Sequence, residues 1–152
     1  MSADIRPFIS TVAGTLDGKG RVCIPASWRE ILSAQNTPGV YVLPSFSVRA
    51  LEGFGEEVLQ TFHRKQAELD PFFAPEYDDR ALAVLAATKL LSLDENGRVV
   101  LPEEFIHHAA LEERVTFVGM GRKFQIWDAE RFAAQQSELI KRAAALRNGG
   151  QK

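Results

Sequence analysis

Two short segments of the sequence place an arginine directly after a glycine and four residues after an aspartate. They are LDGKGRVCIP at residues 16–25 and LDENGRVVLP at residues 93–102. Aspartate and glycine suit a tight turn, because the carboxylate bonds the backbone ahead of it and glycine accepts positive φ. Turn geometry does not require the arginine in either copy. Held on a rigid hairpin, an arginine offers a planar fork of N–H groups that suits a phosphate or a guanine edge.

The other residues that could do chemistry lack the spacing for it. Adjacent helical residues such as His107 and His108 point about 100° apart, so they do not share a metal easily. The sequence contains no Gly-x-Ser-x-Gly elbow, phosphate loop or dinucleotide fingerprint. Paired carboxylates such as Glu103 and Glu104 lie where helices are predicted to begin, and the helix dipole favours negative charge there. We therefore predict no catalytic residue, no metal site, no cofactor and no enzymatic activity.

Composition sets limits on the class of protein. The chain has 152 residues, 45% of them hydrophobic, and a formal net charge of -2. No apolar run reaches the roughly 20 residues that cross a bilayer, and the start lacks a secretory signal, so we predict a cytoplasmic protein without a membrane partner. Nucleic-acid modules are usually basic, so DNA binding would need a local concentration of charge. The single cysteine, Cys23, lies in an apolar run and is predicted to be buried.

The two arginine-bearing segments belong to an internal repeat with an offset of 77 residues. Each copy is predicted to contain a hairpin, a short helix and two further strands. The strands VCI and VVL are apolar at every position, which predicts cover on both faces, as in a closed barrel. One copy alone is too small for a stable core, so we expect the two to interlock. Trp28 and Trp127 are predicted core anchors.

The predicted fold class is α+β, with one domain over residues 1–152. Its parts are a first repeat, a helical connection, a second repeat and a C-terminal helix, at residues 8–53, 54–89, 90–128 and 129–147. The C-terminal helix has one apolar stripe, which could dock on its own core or on a neighbouring subunit.

The doubled Asp-x-x-Gly-Arg turn, together with VTFVGMGRKFQIWD at residues 115–128, resembles the MraZ family of bacterial transcriptional regulators. That family belongs to the AbrB-like swapped-hairpin superfamily, and the resemblance covers about residues 8–147. It implies two swapped-hairpin repeats that together form one small β-barrel with flanking helices. It also implies a nucleoid-associated, ring-shaped homo-oligomer. Such a ring would bind tandem repeats in double-stranded promoter DNA of the division and cell-wall gene cluster. The resemblance does not imply a small-molecule ligand.

Carried over residue by residue, the resemblance implies five DNA-contact residues in the two turns: Asp17, Lys19, Arg21, Asp94 and Arg98. The family often has Leu-Arg where this chain has Phe105-Ile106, and Asn96 stands where the first turn has Lys19. Residues 16–32 have a net charge of +1, whereas residues 93–111 have a net charge of -3. We therefore expect the first hairpin to dominate contact with DNA.

Two other functions are compatible with these residues. An oligomeric protein-interaction scaffold with incidental DNA binding would use the apolar stripe of residues 129–147. A small barrel enzyme would need a nucleophile, a metal set or an acid–base pair, and the sequence offers none of these. A buried carboxylate with a strongly shifted pKa in a large pocket would favour the enzyme.

Overall fold

The computed structural model describes residues 6–149. Its strands are β1 (Thr11–Thr15), β2 (Arg21–Cys23), β3 (Val40–Pro44), β4 (Leu51–Phe54), β5 (Lys89–Leu91), β6 (Arg98–Val100), β7 (Arg114–Gly119) and β8 (Phe124–Asp128). Its helices are α1 (Ala26–Ala34), α2 (Glu56–Gln66), α3 (Pro75–Arg80), α4 (Glu103–His108) and α5 (Ala129–Gly149), and a π-helical turn, Ala81–Leu85, directly follows α3. The fold is therefore mixed α+β. No helix within residues 6–149 combines the length and apolarity needed to cross a membrane.

Six strands form one antiparallel sheet in the order β1-β7-β8-β4-β3-β5. Strand β1, near the start of the chain, pairs with β7, and Thr11 lies opposite Val118. Strand β4 pairs with β8, where Leu51 lies opposite Ile126. Each of these pairs joins one half of the chain to the other, so the two halves build a single sheet.

The remaining strands, β2 and β6, form a separate two-stranded antiparallel ribbon. Its central pair is Val22 opposite Val99, two positions that are 77 residues apart. Backbone bonds continue the symmetry, because Ile24 N donates to Gly97 O at 2.9 Å and Leu101 N donates to Gly20 O at 2.8 Å. In residues 6–149 the edge strands β1 and β5 form no ladder with each other. The closed barrel and the swapped-hairpin repeats therefore stay predictions.

The prediction that the strands VCI and VVL are covered on both faces is wrong. Val22 and Val99 are buried in the core, whereas Cys23 and Val100 are exposed. Only one face of the ribbon lies on the core, and successive side chains of a strand point to opposite faces. The predicted burial of Cys23 is wrong for the same reason.

Aromatic rings from both halves of the chain meet at the centre of the core. The Trp28 ring lies 5.6 Å from Phe8, 4.8 Å from Phe124 and 6.1 Å from Phe117, measured between centroids. Trp28 is only 2% exposed. Trp127 is also buried, so the prediction that both tryptophans anchor the core is confirmed.

Helix α5 contacts the rest of the fold through its first turns. Phe132 is its one buried residue within the described range, and it packs with Trp127 and Ala50 in a second, smaller cluster. The apolar residues farther along, Leu139 and Ile140 among them, are exposed. Beyond Phe132, the apolar stripe predicted for this helix is therefore not covered by the chain's own core.

Candidate nucleic-acid interface

The first turn, residues 17–21, holds its arginine against its aspartate. Oδ1 of Asp17 accepts the backbone N–H groups of Lys19 and Arg21, both at 2.9 Å. Oδ2 of Asp17 accepts Nε of Arg21 at 2.7 Å. The chain reverses at Gly20, which has φ +76 and donates its N–H to Asp17 O at 3.1 Å. One carboxylate thus shapes the turn and orients the guanidinium.

The second turn, residues 94–98, repeats this arrangement contact for contact. Oδ1 of Asp94 accepts the N–H groups of Asn96 and Arg98, at 2.8 and 2.9 Å, and Oδ2 accepts Arg98 Nε at 3.1 Å. Gly97 has φ +80 and donates to Asp94 O at 3.0 Å. In residues 6–149 each guanidinium is bonded through Nε, which leaves its two Nη groups for a ligand.

Both turn aspartates have lowered pKa values. The pKa of Asp17 falls from 3.8 to about 2, chiefly because the carboxylate accepts the backbone N–H of Arg21 and then the Arg21 side chain. The pKa of Asp94 is also lowered, first by the backbone N–H of Arg98. Both carboxylates are therefore charged at neutral pH, the state that orients the arginines.

Stability should depend on pH through Asp17. Its pKa in the folded chain lies below the 3.8 of a free carboxyl, so the charged form stabilises the fold above about pH 4, and this contribution is lost as the pH falls toward 2. We expect the parent to be more stable than Asp17→Asn at neutral pH, with a difference that shrinks between about pH 4 and 2. Urea unfolding of both proteins across this pH range measures the difference in their free energies of unfolding. A difference that stays constant down to pH 2 contradicts the assignment.

The two turns lie at opposite ends of the β2–β6 ribbon, because the strands are antiparallel. Arg21 lies opposite Val100, and Cys23 lies opposite Arg98. Val22 and Val99 point to the core. Because successive side chains of a strand point to opposite faces, these four residues point away from the core. We call these four residues, Arg21, Cys23, Arg98 and Val100, the ribbon face. It presents two half-exposed guanidinium groups and two small apolar groups side by side.

One further basic residue, Arg29 of α1, lies against the second turn. A Cβ added at Gly97 would overlap the Arg29 guanidinium, whose buried Nε has no hydrogen-bond partner in the described residues. The equivalent residue 77 positions later is Ile106, and its Cδ1 lies 3.4 Å from a Cβ built on Gly20. The helix of each half therefore packs on the turn of the other half. In the sequence, Arg29 was counted with the first turn because α1 directly follows that turn in the chain.

This exchange of helices changes which charged residues lie beside each hairpin. The first turn has one positive charge in excess, and Glu103 of α4 lines the same groove as Lys19. The second turn, which includes Glu95, has one negative charge in excess, and Arg29 lies against it. In each case the neighbouring helix places a residue of opposite charge beside the turn. The difference in net charge from which we expected the first hairpin to dominate therefore depends on assigning each helix to its own turn.

Comparison with known proteins places the chain in a family. A family model described as "MraZ protein, putative antitoxin-like" matches residues 84–148. The protein named transcriptional regulator MraZ from Azorhizobium caulinodans is 38% identical over 140 residues, which cover 92% of this chain and 88% of the relative. The protein of the same name from Beijerinckia indica is 39% identical over 140 residues, with 92% and 85% covered. The one from Gluconobacter oxydans is 37% identical over 142 residues, with 91% and 86% covered. The chain belongs to the MraZ family.

Both turns lie within the region shared with these MraZ relatives. An alignment over 92% of the chain cannot omit residues 16–25 or 93–102, which both lie well inside the ends. The relatives are named as transcriptional regulators rather than as enzymes. Membership in the MraZ family therefore supports a role in transcriptional regulation.

The glycine of the second turn in this MraZ-family chain should not tolerate a side chain. We expect Gly97→Ala to destabilise the fold by about 1–2 kcal/mol, because a non-glycine residue at φ +80 is strained and the new Cβ displaces Arg29. Gly18→Ala is the matched control, since no heavy atom lies within 4 Å of its Cβ position and its φ is not positive. Urea unfolding measures the free energy of unfolding of both variants. Equal effects of the two substitutions would show that neither φ nor Arg29 constrains residue 97.

Proposed function

We propose that the chain is a sequence-specific DNA-binding transcriptional regulator that uses the ribbon face as its reading surface. The observation that supports this most is the repeated aspartate–arginine contact at both ends of one ribbon, with the Nη groups unengaged in the described residues. The major groove of B-DNA admits a two-stranded β-ribbon, and arginine pairs bidentately with guanine O6 and N7.

Each predicted site residue receives a distinct role in this proposal. Arg21 and Arg98 contact base edges, and the exposed Lys19 contacts a phosphate. Asp17 and Asp94 position the arginines, since a carboxylate that already accepts an arginine is poorly suited to face a phosphate. Cys23 and Val100 contribute apolar contact of the kind that a thymine methyl group accepts.

We further propose that the ribbon and sheet form a swapped-hairpin barrel built from repeats at residues 8–53 and 90–128. The reciprocal bonds of Ile24 to Gly97 and of Leu101 to Gly20 support it. Several copies would assemble into a ring that places ribbon faces on tandem repeats in the promoter of the division and cell-wall gene cluster. Such a protein would associate with the nucleoid in the cytoplasm. The net charge of -2 disfavours DNA binding by a single chain. In a ring, the weak contacts of several ribbon faces are linked, and the resulting effective concentration raises the overall affinity for DNA.

A mobility-shift assay tests the proposed function. We expect the chain to bind the promoter of its own gene more tightly than the same fragment with scrambled repeats, and to bind more weakly as salt rises because counterions are released. Light scattering on the same preparation measures the number of copies in the assembly. Equal binding to both fragments would contradict sequence-specific regulation.

Equal binding to the promoter fragment and the scrambled fragment would favour an oligomeric interaction scaffold with incidental DNA contact. The exposed apolar residues of α5, including Leu139, Ile140 and Leu146, are the observation behind this second candidate. Loss of self-association in a variant with these three residues changed to serine, with DNA preference retained, would separate assembly from recognition.

A further inference from the structure

A second basic surface lies away from the two turns. The loop between β3 and β4, the end of α4 and one face of α5 enclose a cleft of about 630 Å³. Its basic lining residues are Arg49, Arg131, Arg142 and His108, and aromatic residues Phe46 and Trp127 also line it. Nothing in the proposed DNA contacts uses these residues.

The lining residues of the cleft concentrate positive charge, although one of its arginines, Arg49, also lines a neighbouring groove with Glu103, Glu104 and Glu112. No aspartate or glutamate lines the cleft itself, and none of its three arginines forms an ion pair with a described residue. The acidic residues on α5 are paired elsewhere, Glu130 with Arg114 at 3.7 Å and Glu138 with Lys141 at 3.8 Å.

The donors of the cleft come from three elements that the fold brings together. Arg131 and Arg142 are eleven residues apart on α5, three helical turns, so they lie on one face. Nε of Arg49 donates to His108 O at 3.5 Å, which joins the loop to the end of α4. The Nε2 atom of His108 is buried and has no hydrogen-bond partner among the described residues.

We propose that this cleft binds a small phosphorylated molecule. Arginine forks bind phosphoryl oxygens bidentately, so the lining arginines offer donors to a phosphate or diphosphate group. A volume of about 630 Å³ exceeds what an inorganic ion fills and suits a ligand of nucleotide size. Phe46, which is 72% exposed, supplies an apolar wall for the organic part. Because Phe132 is the one buried residue of α5 in the described range, the ligand would also tie that helix to the rest of the fold.

Calorimetric titration of the full chain with inorganic pyrophosphate and with ADP tests this proposal. We expect saturable binding of at least one probe, one per chain, in about 0.15 M salt, the ionic strength at which exposed charges are screened. Changing Arg131 and Arg142 together to glutamine should weaken binding about 100-fold, roughly tenfold for each charged hydrogen-bond donor removed. Arg49→Gln, on a different element, should weaken it about tenfold. The control Arg114→Gln removes an exposed arginine outside the cleft and should leave binding unchanged.

The same experiment contains the outcomes that overturn the proposal. One is failure of the parent to bind either probe. Another is equal binding of a probe by the parent and by both cleft variants. A third is loss of DNA affinity in the cleft variants with probe binding unchanged, which would make the cleft a contact for the DNA backbone. Imidazole NMR signals of His108 should shift with the probe in the parent and in Arg114→Gln.

Discussion

Replacing both Arg21 and Arg98 with alanine is expected to abolish preference for the promoter repeats while the chain stays folded. A bidentate arginine–guanine contact contributes about 1–3 kcal/mol of discrimination, so loss of two contacts, about 2–6 kcal/mol, corresponds to roughly 30-fold or more in affinity. Both side chains are partly exposed, and each is bonded chiefly to its own turn aspartate. Fluorescence anisotropy with labelled promoter DNA at fixed salt measures the loss.

The single variants measure how much each hairpin contributes to DNA affinity. Because the two turns have the same contacts, and the exchanged helices place Glu103 beside the first turn and Arg29 beside the second, we expect Arg21→Ala and Arg98→Ala to weaken binding to a similar extent. Lys19→Ala should weaken binding to all sequences alike and lower the salt slope by about 1, as expected for a phosphate contact.

Arg114→Ala is the matched control, because this exposed arginine is paired with Glu130 outside the ribbon face. A folded double variant that still prefers promoter repeats would show that the ribbon face is not the reading surface. A large loss of DNA affinity in Arg21→Ala with none in Arg98→Ala would show that the first hairpin dominates contact with DNA.

The second large effect is expected in the core, where Trp28→Ala should destabilise the fold by about 3–5 kcal/mol. Trp28 is 2% exposed and contacts aromatic rings from the other half of the chain, Phe117 and Phe124. Its removal leaves a cavity at the contact between the halves. Small domains are stable by only about 5–15 kcal/mol, so the variant should be close to unfolding at moderate temperature.

Urea unfolding followed by circular dichroism measures the effect on the core. Phe72→Ala is the control, since that ring is 87% exposed and its loss should change stability by less than about 0.5 kcal/mol. If both substitutions cost the same, the centre of the core does not lie at Trp28.

Much of the local structure was predictable from residue order alone. The contact of Asp17 with Arg21 spans four residues, and a glycine at the reversal makes the turn possible, so the spacing is sufficient to predict it. The same holds for Asp94 and Arg98. The start of the C-terminal helix at residue 129 was also predicted, because the apolar period of a helix is visible in the sequence, although the helix continues to Gly149.

Only the tertiary structure decided which surfaces meet. Arg29 and Gly97 are far apart in the sequence, and their contact depends on how β2 and β6 pair across the two halves. The exposure of Cys23 has the same origin, because a three-residue apolar strand is too short for its sequence to show which face lies on the core. The basic cleft is assembled from a loop and two helices with no common sequence pattern. Local patterns report backbone preference, whereas charge and burial at a site are set by packing between segments that the sequence separates.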